Sequence, residues 1–354
     1  MSHEEPLKTS IGLRRALRGW SQNELAERSR IPRTTISAIE GERLSPSVAT
    51  ALTLARVLEC SVEELFGGFA GSLKKMLSQW AWAPRGELAR YWEAEVGGRR
   101  MLYPVEELFL NGIPHDGVWQ GGVERSARSS LAEKTLVMAS CDPAAGLLAS
   151  EYARASGFRL VVFSRGGSEA LDLLKQGLVH VAGLHRSTKE QPERNVETVR
   201  ACMGEGFQLV RAVRWQEGLA LGVDNRTRSL RSATKQARRW ALREKGSAAR
   251  ECLDELCEGK KVSGRTVRSH AAVVEAVRGG WADAGMCVQL VAEEAGLNFL
   301  PVRVEMLDFC FSDSFSRDPR LLALVHLLRS REHRKLMSEL LGYDARETGD
   351  LIKL

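Results

Sequence analysis

Residues 20–42 read Trp20-Ser-Gln-Asn-Glu-Leu-Ala-Glu-Arg-Ser-Arg-Ile-Pro-Arg-Thr-Thr-Ile-Ser-Ala-Ile-Glu-Gly-Glu42. Ser21-Gln-Asn-Glu24 is a capping box: the serine oxygen can accept from a backbone N–H three residues on, and the glutamate can reach back. Apolar residues at helical spacing follow it. Arg30-Ile31-Pro32 then breaks the pattern into a tight turn, and Pro32 suits the first positions of a second helix, where no N–H is needed. Ile36 and Ile39 are expected to pack inward, leaving Arg33, Thr34, Thr35, Ser37 and Ala38 on the outer face. Short polar side chains behind an arginine fit the floor of a DNA major groove. A second capping box, Ser61-Val-Glu-Glu64, opens another helix.

Outward from this stretch, residues 8–56 carry nine Lys and Arg against four Glu, an excess that favours a polyanion. The same pattern also fits a helical bundle used for protein contacts. Trp20-Ser-Gln-x-x-Leu-Ala26, Ile36-Ser-x-Ile-Glu-x-Gly-Glu42, Pro46 and Leu52-x-x-Ala55-x-x-Leu58 together resemble the five-helix lambda-repressor-like, or XRE-type, helix-turn-helix family over residues 8–67. The resemblance implies helices at 22–29 and 33–40 and dimeric binding to paired half-sites of double-stranded DNA. It also implies that Gln22 meets a phosphate, that Arg33, Thr34, Thr35 and Ser37 face bases, and that Arg43 meets the backbone.

Residues 72–134 hold Trp80, Trp82, Trp92 and Trp119, too many tryptophans for a flexible linker. They are expected to form a connecting segment packed on the second domain, with short strands around 99–105. From residue 135 the pattern becomes β then α, repeated. Strands are expected at 135–139, 159–163 and 179–182, and helices from Pro143 to Ser156 and from Ser168 to Gln176. Two further strands are expected near 207–213 and 218–223, then helices and strands to about 305, and helices from 318 to 341. Apolar strands alternating with amphipathic helices predict a mostly parallel sheet covered on both faces.

Three strand-to-helix junctions place small or hydroxyl residues where free N–H groups favour anions: Ser140-Cys-Asp-Pro143, Ser164-Arg-Gly-Gly-Ser168 and Gly246-Ser-Ala-Ala-Arg250. Each taken alone also reads as an ordinary N-cap. The same segments, with Gly177-x-x-His180-Val-Ala-Gly-Leu-His185, Glu217-Gly-Leu219, His270-x-x-Val-x-x-Ala-Val277, Gly280-x-Ala-Asp283-x-Gly285 and Leu340-Leu-Gly-Tyr343, resemble the periplasmic-binding-protein-like domain related to molybdate-binding proteins. That resemblance spans about 135–349 and implies two lobes joined by crossover strands, with a ligand between them. Candidate ligand residues are Ser140, Asp142, Ser164, Ser168, His185, Ser247, Arg250 and Asp283. The family commonly has Gly-Ser-Gly-Thr-Arg where this chain has Gly246-Ser-Ala-Ala-Arg250, which removes one hydroxyl donor. Molybdate or tungstate is the first ligand expected, and a small organic acid would use the same devices. His185 equally reads as a satisfied structural histidine.

The expected fold class is therefore multidomain: an all-α five-helix DNA-binding domain followed by an α/β two-lobed ligand domain. Of the 354 residues, 44% are hydrophobic and 27% charged, with a net charge of +6, the balance of a soluble globular chain. No apolar run reaches the roughly 18 residues that cross a bilayer, and Met1-Ser-His-Glu-Glu-Pro6 is unlike a secretory leader, so a cytoplasmic location is expected. Seven scattered cysteines form no disulfide framework, and Cys252-x4-Cys257 lacks a second pair, so neither metal nor cofactor is expected. No nucleophile elbow, Walker loop or dinucleotide fingerprint occurs, which argues against an enzyme. The expected function is a homodimeric, ligand-responsive transcriptional regulator. The alternative is a phage-type repressor or antitoxin whose large domain only oligomerises or takes an organic ligand.

Overall fold

The computed structural model describes residues 10–41, 43–44, 46–60, 62–65, 79–86, 88–106, 114–120, 123–126 and 131–352. The chain divides into two compact units, residues 1–78 and 79–354. Among the described residues of the first unit are five helices, α1 (Ser10–Leu17), α2 (Gln22–Ser29), α3 (Arg33–Glu40), α4 (Val48–Val57) and α5 (Val62–Leu65). They close over one apolar core of Ile11, Leu25, Ile36, Ile39, Leu54 and Leu58. The Ser21 capping box forms as the sequence predicts, with the Ser21 side chain accepting from the Glu24 N–H and Glu24 reaching back to the Ser21 N–H. Arg30 adopts a left-handed conformation (φ 56°) that ends α2, and α3 begins directly after Pro32. Ser61 lies outside the described residues, so its capping box does too.

The second unit opens with a five-stranded sheet, β1 (Gln79–Trp80), β2 (Leu88–Val96), β3 (Arg99–Pro104), β4 (Gly117–Gln120) and β5 (Val123–Ser126), in the order β1-β3-β2-β4-β5. Its inner face shares a core with the main domain: Ala94, Val96, Met101 and Tyr103 pack with Val137, Val161, Phe163 and Leu171. Arg159 fixes the join by pairing with Asp116 and donating to the Glu93 carbonyl.

The first lobe is built from β6 (Thr135–Ala139), α6 (Ala145–Ser156), β7 (Arg159–Phe163), α7 (Gly167–Lys175), β8 (Val181–Thr188) and α8 (Arg194–Met203). The chain then enters β9 (Phe207–Leu221). The second lobe follows as α9 (Leu230–Gln236), β10 (Trp240–Leu242), α10 (Ala248–Leu256), β11 (Gly264–Thr266), α11 (His270–Arg278), β12 (Ala284–Val288) and α12 (Gln289–Glu294). The chain returns through β13 (Asn298–Ser312) to the first lobe, where it ends with α13 (Pro319–Arg329), α14 (Arg331–Ser338), β14 (Tyr343–Asp344) and β15 (Leu351–Ile352). Sheet order is β11-β10-β12-β9-β13-β8-β6-β7, with the short β14 and β15 also on β9. The antiparallel pair β9 and β13, 15 residues each, runs through both lobes.

Four expectations change. The sheet is mixed and not mostly parallel, because β9 and β13 pair antiparallel with each other and with β12 and β8. The two strands near 207–213 and 218–223 are one strand, because Gln216-Glu217-Gly218 stays extended within β9, paired with β13, and does not turn. The helix after Asp142 starts at Ala145 and not at Pro143, since the Asp142 carboxylate caps the Ala144 N–H in a tight turn. The strand expected at 179–182 starts at Val181 and continues to Thr188. Alternation with period two explains the double covering of the second lobe. Leu219 and Leu221 face a cluster with Trp240, Leu253 and Met286, while Ala220 faces one with Val273, Cys287 and Ala292.

Candidate functional site

In the first unit, α3 buries Ile36 and Ile39, exposes Arg33 and Thr34, and leaves Thr35 and Ser37 half-buried. Arg43 is exposed just beyond it. The end of α3 is tied to the rest of the unit through Glu40. Arg15 donates to both Glu40 oxygens (2.8 and 3.1 Å), and the Gln22 amide donates to one of them (2.8 Å). Burial works against the Glu40 charge, yet these bonds hold its carboxyl below the usual range. Gln22 therefore spends one N–H on positioning α3.

The three anion-type junctions of the second unit are polar but largely self-satisfied. Ser140 Oγ accepts from the Asp142 N–H (3.3 Å), and Asp142 accepts from the Ala144 N–H (2.9 Å) and the Tyr343 hydroxyl (2.8 Å). Gly183 on β8 lies so close to Ser140 that an added Cβ would sit 2.4 Å from its Oγ. Ser164 is half-buried, and its carbonyl accepts from the Arg165 guanidinium. The second and third junctions meet: Ser168 Oγ donates to the Gly246 carbonyl (3.0 Å), and Arg186 donates to that carbonyl (2.6 Å) and to Ser168 Oγ (3.2 Å). Ser247 caps α10, accepting from the Arg250 N–H and donating to the Glu244 carbonyl. Arg250 pairs with Asp254 one turn on. Asp283 lies elsewhere, against Arg239, on a cavity of about 750 Å³ that Asp224 and Arg278 also line.

A different set of side chains converges where β9 and β13 pass from one lobe to the other. Register places Trp215 opposite Glu305 and Glu217 opposite Arg303, so all four share one face. Glu305 accepts from Arg303 (2.7 Å) and pairs with Nδ1 of His185 (2.5 Å). The other ring nitrogen of His185 lies 3.1 Å from Cys141 Sγ. His270, the first residue of α11, puts its ring 6.2 Å from His185 and 6.2 Å from Trp215. Arg243, just after β10, completes the group. Trp215, Glu217, Arg243, His270, His185 and Glu305 are all at most 3% exposed.

Several of these groups have no partner among the described residues: Trp215 Nε1, both Glu217 oxygens, Arg243 Nη1 and both His270 nitrogens. Burial, reinforced by the charge of Glu305, pushes the Glu217 carboxyl well above its ordinary range. Burial, with Arg243 nearby, pushes His270 well below its own. Burial opposes charge on His185 too, but Cys141 and Glu305 outweigh it and raise this histidine. Glu305 is likewise held low, against burial, by His185 and Arg303. Orphaned polar atoms on this scale are exceptional in a folded core, where nearly every such group is paired.

Of the residues singled out from sequence, Ser140, Asp142 and His185 border this junction, Asp142 through Tyr343, whose ring lies 6.0 Å from that of Trp215. Ser164, Ser168, Ser247 and Arg250 belong to the neighbouring junction loops. The candidate ligand residues read from sequence leave out Cys141, Trp215, Glu217, Arg243, His270, Arg303 and Glu305, although Cys141, Glu217 and His270 stand in segments that carry the family resemblance. One signal was available: Glu217 stands at period two between Trp215 and Leu219, positions that share one face of a strand. Cys252 and Cys257 lie in the apolar core of the second lobe, where burial pushes both thiols up.

Two family models agree with this architecture. Residues 149–329 match the family model of the PBP superfamily domain, and residues 11–65 match that of a helix-turn-helix. The uncharacterized protein YvgK of Bacillus subtilis is 29% identical over 199 residues, 53% of this chain and 64% of the relative. The chain thus spans less than two thirds of that relative. Among solved structures, PhnD1 from Prochlorococcus marinus in complex with methylphosphonate is 12% identical (TM-score 0.42), covering 63% of this chain and 93% of its own. The arginine-, lysine-, histidine-binding protein ArtJ from Geobacillus stearothermophilus is 13% identical (TM-score 0.43), covering 59% and 95%.

Proposed function

The chain belongs to the PBP superfamily and carries a helix-turn-helix unit ahead of that domain, and we propose that it is a ligand-responsive transcriptional regulator, not an enzyme. One observation carries the sensor half of this reading: the buried Trp215 Nε1, Glu217 carboxyl, Arg243 Nη1 and His270 ring at the junction of the lobes, which have no partner among the described residues. Leaving a buried polar group unpaired costs about 1–3 kcal/mol, so a ligand that satisfies four at once has a large free energy to draw on. It also binds the closed arrangement of the lobes better than any open one, and differential affinity of that kind is what shifts a conformational equilibrium.

The ligand class to test first is a small oxyanion, molybdate or tungstate. Trp215, Arg243 and His270 supply N–H donors, and a Glu217 carboxyl kept protonated by burial supplies an O–H. A small organic acid would use the same donors. The DNA half rests on α3: Arg33, Thr34, Thr35 and Ser37 read bases, Gln22 and Arg43 contact the backbone, and two copies of the chain bind paired half-sites in the cytoplasm.

A duplex selected from a random pool by the full chain provides the test. In gel-shift competition, Arg33→Ala lowers discrimination between selected and unrelated duplex by about 1–3 kcal/mol, and molybdate, tungstate or an organic acid changes the affinity of the wild-type protein. Undiminished discrimination in Arg33→Ala refutes the α3 assignment, and affinity indifferent to the whole ligand panel refutes the sensor assignment.

A further inference from the structure

The same junction holds a second kind of chemistry. Cys141 Sγ and ring nitrogens of His185 and His270 lie within 4.8 Å of one another, and all three residues are buried. They arrive from three separate places: the loop after β6, the strand β8 and the start of α11. From these residues we propose that the junction binds one divalent transition-metal ion of zinc-like softness through Cys141, His185 and His270. The proposal rests on the reading of the junction as a ligand site, and names an ion that site holds.

Thiolate sulfur and imidazole nitrogen are the donors that borderline-soft ions prefer, whereas magnesium and calcium take oxygen. The surroundings of His185 match what metal-binding histidines carry. Its Nδ1 faces the Glu305 carboxylate, which Arg303 holds in turn, so Nε2 is left directed at Cys141 and the ion position. His270 contributes a ring with both nitrogens unpartnered. Ion entry converts the Cys141 thiol to thiolate: the S–H proton leaves to solvent as the sulfur–metal bond forms, with no change of oxidation state. Three protein ligands leave a tetrahedral ion one open position. Trp215, Glu217 and Arg243 surround the same junction, so the sensed anion would take that position while Arg243 and Trp215 bind its outer atoms.

Cobalt(II) is the probe, because its thiolate complexes absorb in the near ultraviolet and its tetrahedral complexes in the visible. Full-length protein, reduced and stripped with chelator, is titrated with Co2+ and then with Zn2+. The expected result is one equivalent of Co2+ with a sulfur-to-cobalt band, displaced by Zn2+. Cys141→Ser loses that band, His270→Gln loses the tetrahedral visible bands, and Glu305→Gln binds about 10- to 100-fold more weakly, as removal of an orienting carboxylate does. Circular dichroism confirms that each variant is folded, and the band of His270→Gln is read independently of Cys141→Ser. Failure to bind one equivalent, or a spectrum that Cys141→Ser leaves unchanged, overturns the proposal. The same stripped protein is screened with oxyanions by thermal shift. An anion shift without a cobalt signal removes the metal and leaves the sensor reading standing, whereas a cobalt signal without any anion shift does the reverse.

Discussion

The strand-end loops around Ser140, Ser168 and Ser247 and the middles of β9 and β13 are both polar, yet they differ in how their hydrogen bonds close. In the loops, Asp142, Ser168 and Ser247 each find partners within the chain. Around the strand middles, Trp215 Nε1, both Glu217 oxygens, Arg243 Nη1 and both His270 nitrogens find none among the described residues. Two histidines make the contrast sharp. His180 accepts from the Val137 N–H (3.0 Å) through Nδ1 and donates to the Glu95 carbonyl (2.8 Å) through Nε2, which fixes one neutral tautomer. His270 is as deeply buried and has no such bonds. Burial of a polar group thus marks architecture when the bonds close, and a site when they do not.

The largest effect expected from this contrast is on acid stability. Burial, helped by Arg320, pushes His180 down to about 4. Between the ordinary value near 6.5 and 4 the unfolded chain binds a proton that the folded one refuses, so stability falls as pH is lowered through that window, by about 3 kcal/mol. Asp308 acts in the opposite sense: burial, against the pull of Arg211, pushes it up to about 6. The diagnostic quantity is therefore the difference between wild type and His180→Gln in urea unfolding at pH 7 and pH 5. The variant loses less stability than wild type, and equal losses would break the assignment of His180 as a locked neutral group.

Next in size is Asp142→Ala, which strands the Tyr343 hydroxyl and the Ala144 N–H and is expected to cost about 2–3 kcal/mol in urea unfolding. Smallest is Glu217→Gln. It removes an unsatisfied buried carboxyl, so the ligand-free protein changes by less than about 1 kcal/mol or gains stability, while the response to ligand is lost. A loss as large as that of Asp142→Ala would place Glu217 among the architectural groups and erase the contrast.

Much of the fold could be read from sequence because the governing signals are local. The Ser21 capping box, the Pro32 start and the Ile36/Ile39 spacing fix α2 and α3, and the apolar runs at 135–139 and 159–163 become β6 and β7 at those bounds. The crossover was misread because Gln216-Glu217-Gly218 has the composition of a turn, and only long-range pairing with β12 and β13 keeps it extended. The site was less legible still. Cys141, His185, Glu217, His270 and Glu305 are far apart in the chain, and no spacing rule links them. The hydroxyl-rich loops carried the stronger local signal, although their polar atoms turn out to bind one another.

Thermal unfolding of the full chain with molybdate or tungstate, compared between wild type and Trp215→Phe, tests the central claim most directly. The substitution removes the unpartnered indole N–H together with part of a fully buried ring, so each protein's shift is read from its own ligand-free midpoint. At about a hundred times its dissociation constant a ligand stabilises the folded state by about 2.7 kcal/mol. The account predicts a shift of that order in the wild-type protein and a clearly smaller one in Trp215→Phe at the same concentration. An equal shift in the two proteins would place the ligand away from the junction and contradict it.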